Sequence, residues 1–250
     1  MSPRQIDSTT LLEREQALLD AAMLLIQQQG VEGLTMDKLV KQVSFSKGTV
    51  YGHFSGKEDL LLGLCNRGMR LLCGLFQRAQ AFRGTTRERM LATHFAYLLY
   101  SRLYPMMFLL VITAKSPGVT EKASVRQREA HLQLEADLTT GIIRIIQQAL
   151  ADNDCLNPHR LAPEQIAFAN WSSAFGSISL LSKDFEQCGI RAQMHSEQAL
   201  LANINILLDG LAWHPLYAEF DYTETLNRLR TEIFAAEIAQ LGTQGQVLQF

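Results

Sequence analysis

Residues 35–60, from Thr35 to Leu60, read TMDKLVKQVSFSKGTVYGHFSGKEDL. The pattern predicts two short helices joined by a tight turn, with a third helix opening at the end. Thr35 is the kind of residue that caps a helix by accepting a backbone N–H, and Met36, Leu39, Val40 and Val43 follow it as one apolar face. Ser46 caps the second helix, in which Val50 and Phe54 are four apart and point toward the core of a small domain. Ser55 and Glu58 have capping-box spacing and start the third helix.

Charge separates this stretch from its surroundings. Between Leu34 and Lys57, four lysines (Lys38, Lys41, Lys47, Lys57) stand against Asp37, a net of +3 over 24 residues. The first 60 residues together hold six basic and eight acidic side chains, and the chain carries −2 overall. A histone-like or tail-mediated mode of nucleic-acid binding is thereby excluded, while a compact phosphate-facing surface fits. A helix-turn-helix lays its second helix in the DNA major groove. Gly48 has no Cβ to obstruct a phosphate or base edge, Thr49 can donate to either, and Lys47 and Tyr51 reach outward. Lys57 falls in the first turn of the third helix, where free N–H groups and the helix dipole favour an anion. Lysines on a short amphipathic helix also describe an ordinary solvated face. What favours DNA is the order of two caps, a turn and the charge bias within 26 residues.

Outward from this stretch the chain predicts helices throughout, an all-α fold. Thr10 and Glu13 open a helix to about Gln29, with Gly30 suited to the C′ position. The third helix runs to about Gln80; Thr85 and Glu88 cap the next, to Arg102, and Pro105 begins a short apolar helix to Ala114. Long helices are expected over 120–152, 163–185 and 196–213, and a last one over 221–241. At 250 residues and 47% hydrophobic, with 16 glycines and 6 prolines, the chain has room for one or two domains and a sizeable core. Its longest apolar run, Leu103 to Ala114, is 12 residues and contains Pro105, short of the roughly 20 a membrane span needs. Arg4, Asp7, Glu13 and Arg14 precede any apolar run, so no leader is read and a cytoplasmic location is expected. Cys65, Cys73, Cys155 and Cys188 show no CxxC spacing, and the expectation is a reduced chain.

Residues 11–71 resemble the DNA-binding domain of the TetR family of bacterial transcriptional regulators. The likeness is carried by Ala21-Ala22, Leu25, Gly30, Gly33-Leu34-Thr35, Leu39, Ser46-Lys47-Gly48-Thr49-Val50-Tyr51, Phe54 and Lys57-Glu58-Asp59-Leu60. It implies an N-terminal three-helix DNA-binding domain, with the helix-turn-helix at about 34–53, and a larger helical regulatory and dimerisation domain over 72–250. Thr35, Ser46, Lys47, Gly48, Thr49, Tyr51, Gly52, His53 and Lys57 would form the DNA face, with Thr35 and Lys57 on phosphates. Three positions depart from the family pattern. Ser44 replaces a turn glycine and is expected to take a left-handed conformation. Gly52 removes one side-chain contact, and His53 stands in place of a tyrosine, where its charged form would hold a phosphate.

The resemblance further implies a homodimer, a near-palindromic double-stranded operator and a small-molecule effector that releases a repressor. Ala169, Ser173 and Ser177 fall four apart on a helix rich in small residues, and Leu200, Ile204, Leu207, Leu208 and Leu211 form an apolar stripe on the next. Two such helices per subunit predict an intersubunit four-helix bundle, the alternative being packing within one subunit. One role open to the helix after Asp221 is to cover that surface. For a mainly apolar ligand the candidates are Met106, Phe108, Phe168, Trp171 and Phe175, with His94, Arg102 and Asn170 as polar fixings, although such side chains equally make plain core.

No catalytic or nucleotide-binding motif is present, and no cofactor or metal is expected. His131 and Glu135 are four apart, but this is the spacing of any solvated helix face. Two other functions stay open on the sequence. One is a DNA-bound structural or division-control protein of the same fold with a protein partner, and the other a helical binding protein that has lost DNA binding.

Overall fold

The computed structural model describes residues 8–182, 189, 191 and 194–248. Among these the chain forms helices and no strand, in agreement with the all-α expectation; an isolated antiparallel bridge joins Cys155 to Trp213. Cys188 and the end of the helix expected to reach Phe185 lie outside the described residues. The helices are α1 (Ser8–Gly33), α2 (Met36–Gln42), α3 (Lys47–His53), α4 (Lys57–Gln80), α5 (Thr86–Leu103), α6 (Pro105–Ala114), α7 (Pro117–Thr120), α8 (Val125–Ala151), α9 (Pro163–Leu180), α10 (Ser196–Gly210), α11 (Thr223–Arg228) and α12 (Ala235–Thr243). None is long and apolar enough by itself to cross a membrane.

The chain divides into two compact units. The first takes residues up to Gly68 together with Met106–Leu134, and the second takes Met69–Pro105 and everything from Glu135 onward. Residues 106–134, grouped with the C-terminal domain on the sequence, therefore belong by their contacts to the unit that holds the helix-turn-helix.

In the first unit Leu18, Leu19, Ala22, Leu34, Leu39, Val50, Phe54 and Leu60 are fully buried. Gly30 breaks the helical path of α1 with φ 72°, as its predicted C′ role requires. Gly63 is fixed by packing, because a Cβ there would lie 2.7 Å from the ring of Phe54. The expected Ser55–Glu58 capping box is replaced by another arrangement. Asp59 Oδ2 accepts from Ser55 N at 2.9 Å and Ser55 Oγ at 3.2 Å, while Oδ1 accepts from Ser124 N at 3.0 Å and Ser124 Oγ at 2.7 Å. Burial alone would raise the pKa of Asp59, but these hydrogen bonds outweigh it and hold the carboxyl below its ordinary range. The same contact explains why the helix expected from Thr120 begins at Val125: Ser124 leaves helical geometry to serve Asp59. Two turns along α4, Asn66 Nδ2 donates to Gln127 O and Oε1, both at 2.9 Å, and Asn66 Oδ1 pairs with His131 Nδ1 at 2.9 Å.

In the second unit α5 is buried around nearly its whole circumference and packs against α9, α10 and α12. Its predicted capping box is present, Thr85 N donating to Glu88 Oε2 at 2.8 Å and Glu88 N to Thr85 Oγ1 at 3.2 Å. The last helix expected over 221–241 is interrupted by a π turn at Leu229–Ile233. This extra residue per turn swings Phe234 inward, where it is fully buried and stacks on Phe95 with ring centres 5.8 Å apart. Arg78 lies 5.0 Å from the centre of the Phe234 ring and pairs with Glu237, and Arg228 lies 4.5 Å from the centre of the Phe82 ring. The C-terminal helices thus seal α5 and the end of α4 within their own unit.

Candidate nucleic-acid interface and regulatory core

The second helix of the helix-turn-helix begins as the sequence predicts. Ser46 Oγ accepts from Thr49 N at 3.1 Å and lies 2.9 Å from Thr49 Oγ1, so the cap also orients the threonine. Thr35 Oγ1 caps α2 through Lys38 N at 3.3 Å. Thr35, Ser46, Lys47, Gly48, Tyr51 and Gly52 are exposed, Thr49, His53 and Lys57 are half-buried, and Val50 and Phe54 are fully buried. None of the nine expected DNA-facing residues is fully buried, whereas Val50 and Phe54 are. A Cβ at Gly52 would meet nothing within 4 Å, and one at Gly48 only Ser46 Oγ at 3.8 Å. Nothing inside the protein crowds either position. Lys47 is partly engaged, 3.3 Å from Asp37 and 5.6 Å from the centre of the Tyr51 ring.

Two expectations change. Ser44 is not left-handed: α2 leaves through Val43 in an extended conformation, φ −116° and ψ 157°, and the positive-φ residues other than glycine lie elsewhere. His53 is disfavoured as a cation, because burial lowers its pKa; Glu15 opposes this, and Arg126 and Arg14 add to it. The charged form expected to hold a phosphate is accordingly less favoured than in a free histidine. A residue the sequence did not point to sits beside it. Arg126 donates to the His53 carbonyl at 2.9 Å and to Glu15 Oε2 at 2.7 Å, tying the end of α3 to α1. Its separation of 73 residues from His53 leaves no local signal.

Of the candidate effector contacts, His94 and Asn170 meet in the buried interior of the second unit, His94 Nε2 lying 2.9 Å from Asn170 Oδ1. Next to them Trp171 Nε1 donates to the Tyr97 hydroxyl at 3.2 Å, and the Trp171 and Phe175 rings are 5.8 Å apart. Arg102 is engaged elsewhere, donating to Ser196 Oγ and Glu197 Oε1, both at 2.5 Å. Met106 and Phe108 belong to the first unit, and Phe168, in the second, is 64% exposed.

The proposed dimer stripe is also corrected. Leu200, Ile204, Leu208 and Leu211 are buried within the single chain and Leu207 is half-buried. Half-buried Ala169 and Ser173 and buried Ser177 lie on α9, which α10 packs along; Ser177 Oγ accepts from Asn203 Nδ2 at 2.9 Å, a contact between the two helices of one subunit. The large apolar side chains left exposed on these helices are instead Phe168, Trp171, Leu180 and Ile206, the last 71% exposed.

Residues 18–64 match the family model described as bacterial regulatory proteins, tetR family. The HTH-type transcriptional repressor AcnR of Corynebacterium diphtheriae is 37% identical over 59 residues, which cover 24% of this chain and 31% of that protein. SrpR of Pseudomonas putida, an HTH-type transcriptional regulator, is 37% identical over 49 residues, covering 20% of this chain and 23% of its own length. The chain thus spans about a third or less of these relatives by alignable sequence. Solved structures extend the likeness as a fold. FadR from Bacillus subtilis in complex with stearoyl-CoA superposes with a TM-score of 0.60 at 13% identity, covering 78% of this chain and 98% of FadR. AibR in complex with isovaleryl coenzyme A and operator DNA gives a TM-score of 0.57 at 20% identity, with coverage of 78% and 98%.

Proposed function

We propose that this chain, a member of the TetR family of bacterial regulatory proteins through its helix-turn-helix domain, is a DNA-binding transcriptional repressor that a small molecule releases from its operator. The observation that carries this is α3. Its cap orients Thr49 outward beside exposed Lys47, Gly48 and Tyr51, while Val50 and Phe54 anchor it from behind. It works in the cytoplasm as a homodimer, pairing through the α9–α10 face that carries Phe168, Trp171 and Ile206. One reading helix per subunit then requires two half-sites about 34–36 Å apart, or a multiple, on a near-palindromic site. The effector is mainly apolar and enters the second unit around His94, Asn170 and Trp171; FadR and AibR were solved with acyl-coenzyme A ligands, of which only the acyl chain is apolar.

The test is selection of bound fragments from genomic DNA by the purified chain, followed by two variants on the selected site. Thr49→Ala is expected to lower discrimination against unrelated DNA by about 1 kcal/mol, roughly fivefold, with non-specific binding unchanged. Lys57→Ala weakens specific and non-specific binding alike and reduces the salt dependence by about one counterion. Equal losses from both variants, or no selected fragment, would overturn the assignment. Arg126→Ala is expected to weaken the selected site by roughly threefold to tenfold while the melting temperature shifts by no more than about 2–4 °C, since an exposed ion pair is worth about 0–1 kcal/mol. Unchanged operator affinity in that variant would show that α3 keeps its orientation without the arginine.

A further inference from the structure

Between α5, α10 and the chain from Tyr217 to Leu226, all within the second unit, lies a pocket of about 260 Å³. Its walls include Tyr217, Phe220, Asp221, Tyr222, Asn205 and Leu91. We infer that this pocket binds a small organic cation of the alkylammonium class.

The aromatic side chains come first. The Tyr222 ring is 4.7 Å from that of Phe220 and 6.2 Å from that of Tyr217, whose plane is parallel to it within 1°. Tyr217 and Phe220 remain 56% and 38% exposed, so the protein's own packing does not use up their faces. Aromatic faces carry negative potential and attract cations, alkylammonium groups in particular because their charge is spread over apolar carbon.

The local charge has the matching sign. From Gly210 to Leu226 the chain holds Glu219, Asp221 and Glu224 with no lysine or arginine, and the pocket wall contains Asp221 and no basic side chain. Asp221 accepts from the Thr223 hydroxyl and from the Thr223 backbone N–H, the latter at 2.9 Å, and these bonds hold its carboxyl below the ordinary range. The Arg87 guanidinium lies 5.3 Å from the centre of the Tyr222 ring and is matched by Asp209 at 2.6 Å. Tyr222 is thus already a cation-holding ring whose resident charge is neutralised, so a second cation is not repelled. The same walls disfavour an anion or an acyl-phosphate ligand, which Asp221 would oppose. Size agrees with a small ligand, since the volume lies just below the roughly 300–1,000 Å³ of drug-sized sites.

This assignment does not depend on what α3 reads. Calorimetric titration of the full chain with choline, and with its uncharged tert-butyl isostere, tests it. Choline is expected to bind saturably and the isostere at least tenfold more weakly. Tyr217→Ala and Phe220→Ala should each weaken choline roughly fivefold or more. Asp221→Asn should weaken it severalfold, with circular dichroism and melting temperature preserved because all three side chains are partly or fully exposed. Absence of saturable choline binding, equal binding of the isostere, or full affinity in the three variants would overturn the proposal.

Discussion

Replacing Asp209 with alanine is expected to destabilise the C-terminal unit by about 3–5 kcal/mol, and replacing Arg87 with methionine by less, about 1–3 kcal/mol. Arg87 has no solvent exposure, and its guanidinium donates to Asp209 Oδ1 and Trp213 O at 2.6 Å each and to Asn205 Oδ1 at 3.0 Å. Only Asp209 carries the compensating charge, so its removal strands a cation in a dry interior. The reverse change leaves a different residue. Methionine keeps much of the apolar volume, and Asp209, with its side chain 37% exposed, retains water and the hydrogen bond from Tyr217 N at 3.0 Å. The main loss is then the acceptor pairing of Trp213 O and Asn205 Oδ1. The asymmetry of burial, and not the ion pair as such, decides the order. Urea titration followed by tryptophan fluorescence reports on this directly, because both tryptophans of the chain, Trp171 and Trp213, lie in the second unit. A greater loss from Arg87→Met than from Asp209→Ala would show that lost packing outweighs the stranded charge.

How much of this was legible in the sequence follows from the range of each interaction. The caps at Thr35, Ser46 and Thr85 use partners three residues away, and all three are present as read. Ser55 has a suitable partner at Glu58 by spacing, yet it bonds Asp59, because Asp59 also serves Ser124 from a segment 65 residues on. Periodicity located apolar stripes on α9 and α10 but could not say which side faces solvent, since both helices are apolar on two sides. Leu200, Ile204 and Leu208 turned out to serve the subunit's own core, leaving Ile206 outside. His94 and Asn170 were singled out as polar groups on otherwise apolar helices, and they do meet. The inward turn of Phe234 had no signature, because a π turn needs only one residue more per turn than the helix it interrupts.

The His94–Asn170 contact carries the second large effect, a loss of stability in mild acid. Asn170 Nδ2 is spent on Ile166 O at 2.9 Å, so Asn170 Oδ1 must accept, and the neutral His94 ring donates from Nε2. Burial pushes the histidine pKa down from 6.5 to about 4, the hydrogen bond to Asn170 opposing only in part. In the unfolded chain the same ring titrates at its ordinary value. Between those two values the unfolded state binds the proton and the folded state does not, so stability is full above about pH 6.5 and falls as pH drops toward 4. At pH 4.5 the cost reaches about 2.5 kcal/mol, at roughly 1.4 kcal/mol per pH unit. His94→Gln keeps a donor for Asn170 Oδ1 without a titrating group, and is expected to remove that acid-dependent loss while carrying a constant cost of its own. Urea midpoints of both proteins at pH 7.5 and 4.5 decide the matter. Equal losses in the two would place the acid sensitivity on carboxylates and not on His94. The larger loss in wild type would mean that the buried imidazole beside Asn170 stays neutral throughout the physiological range.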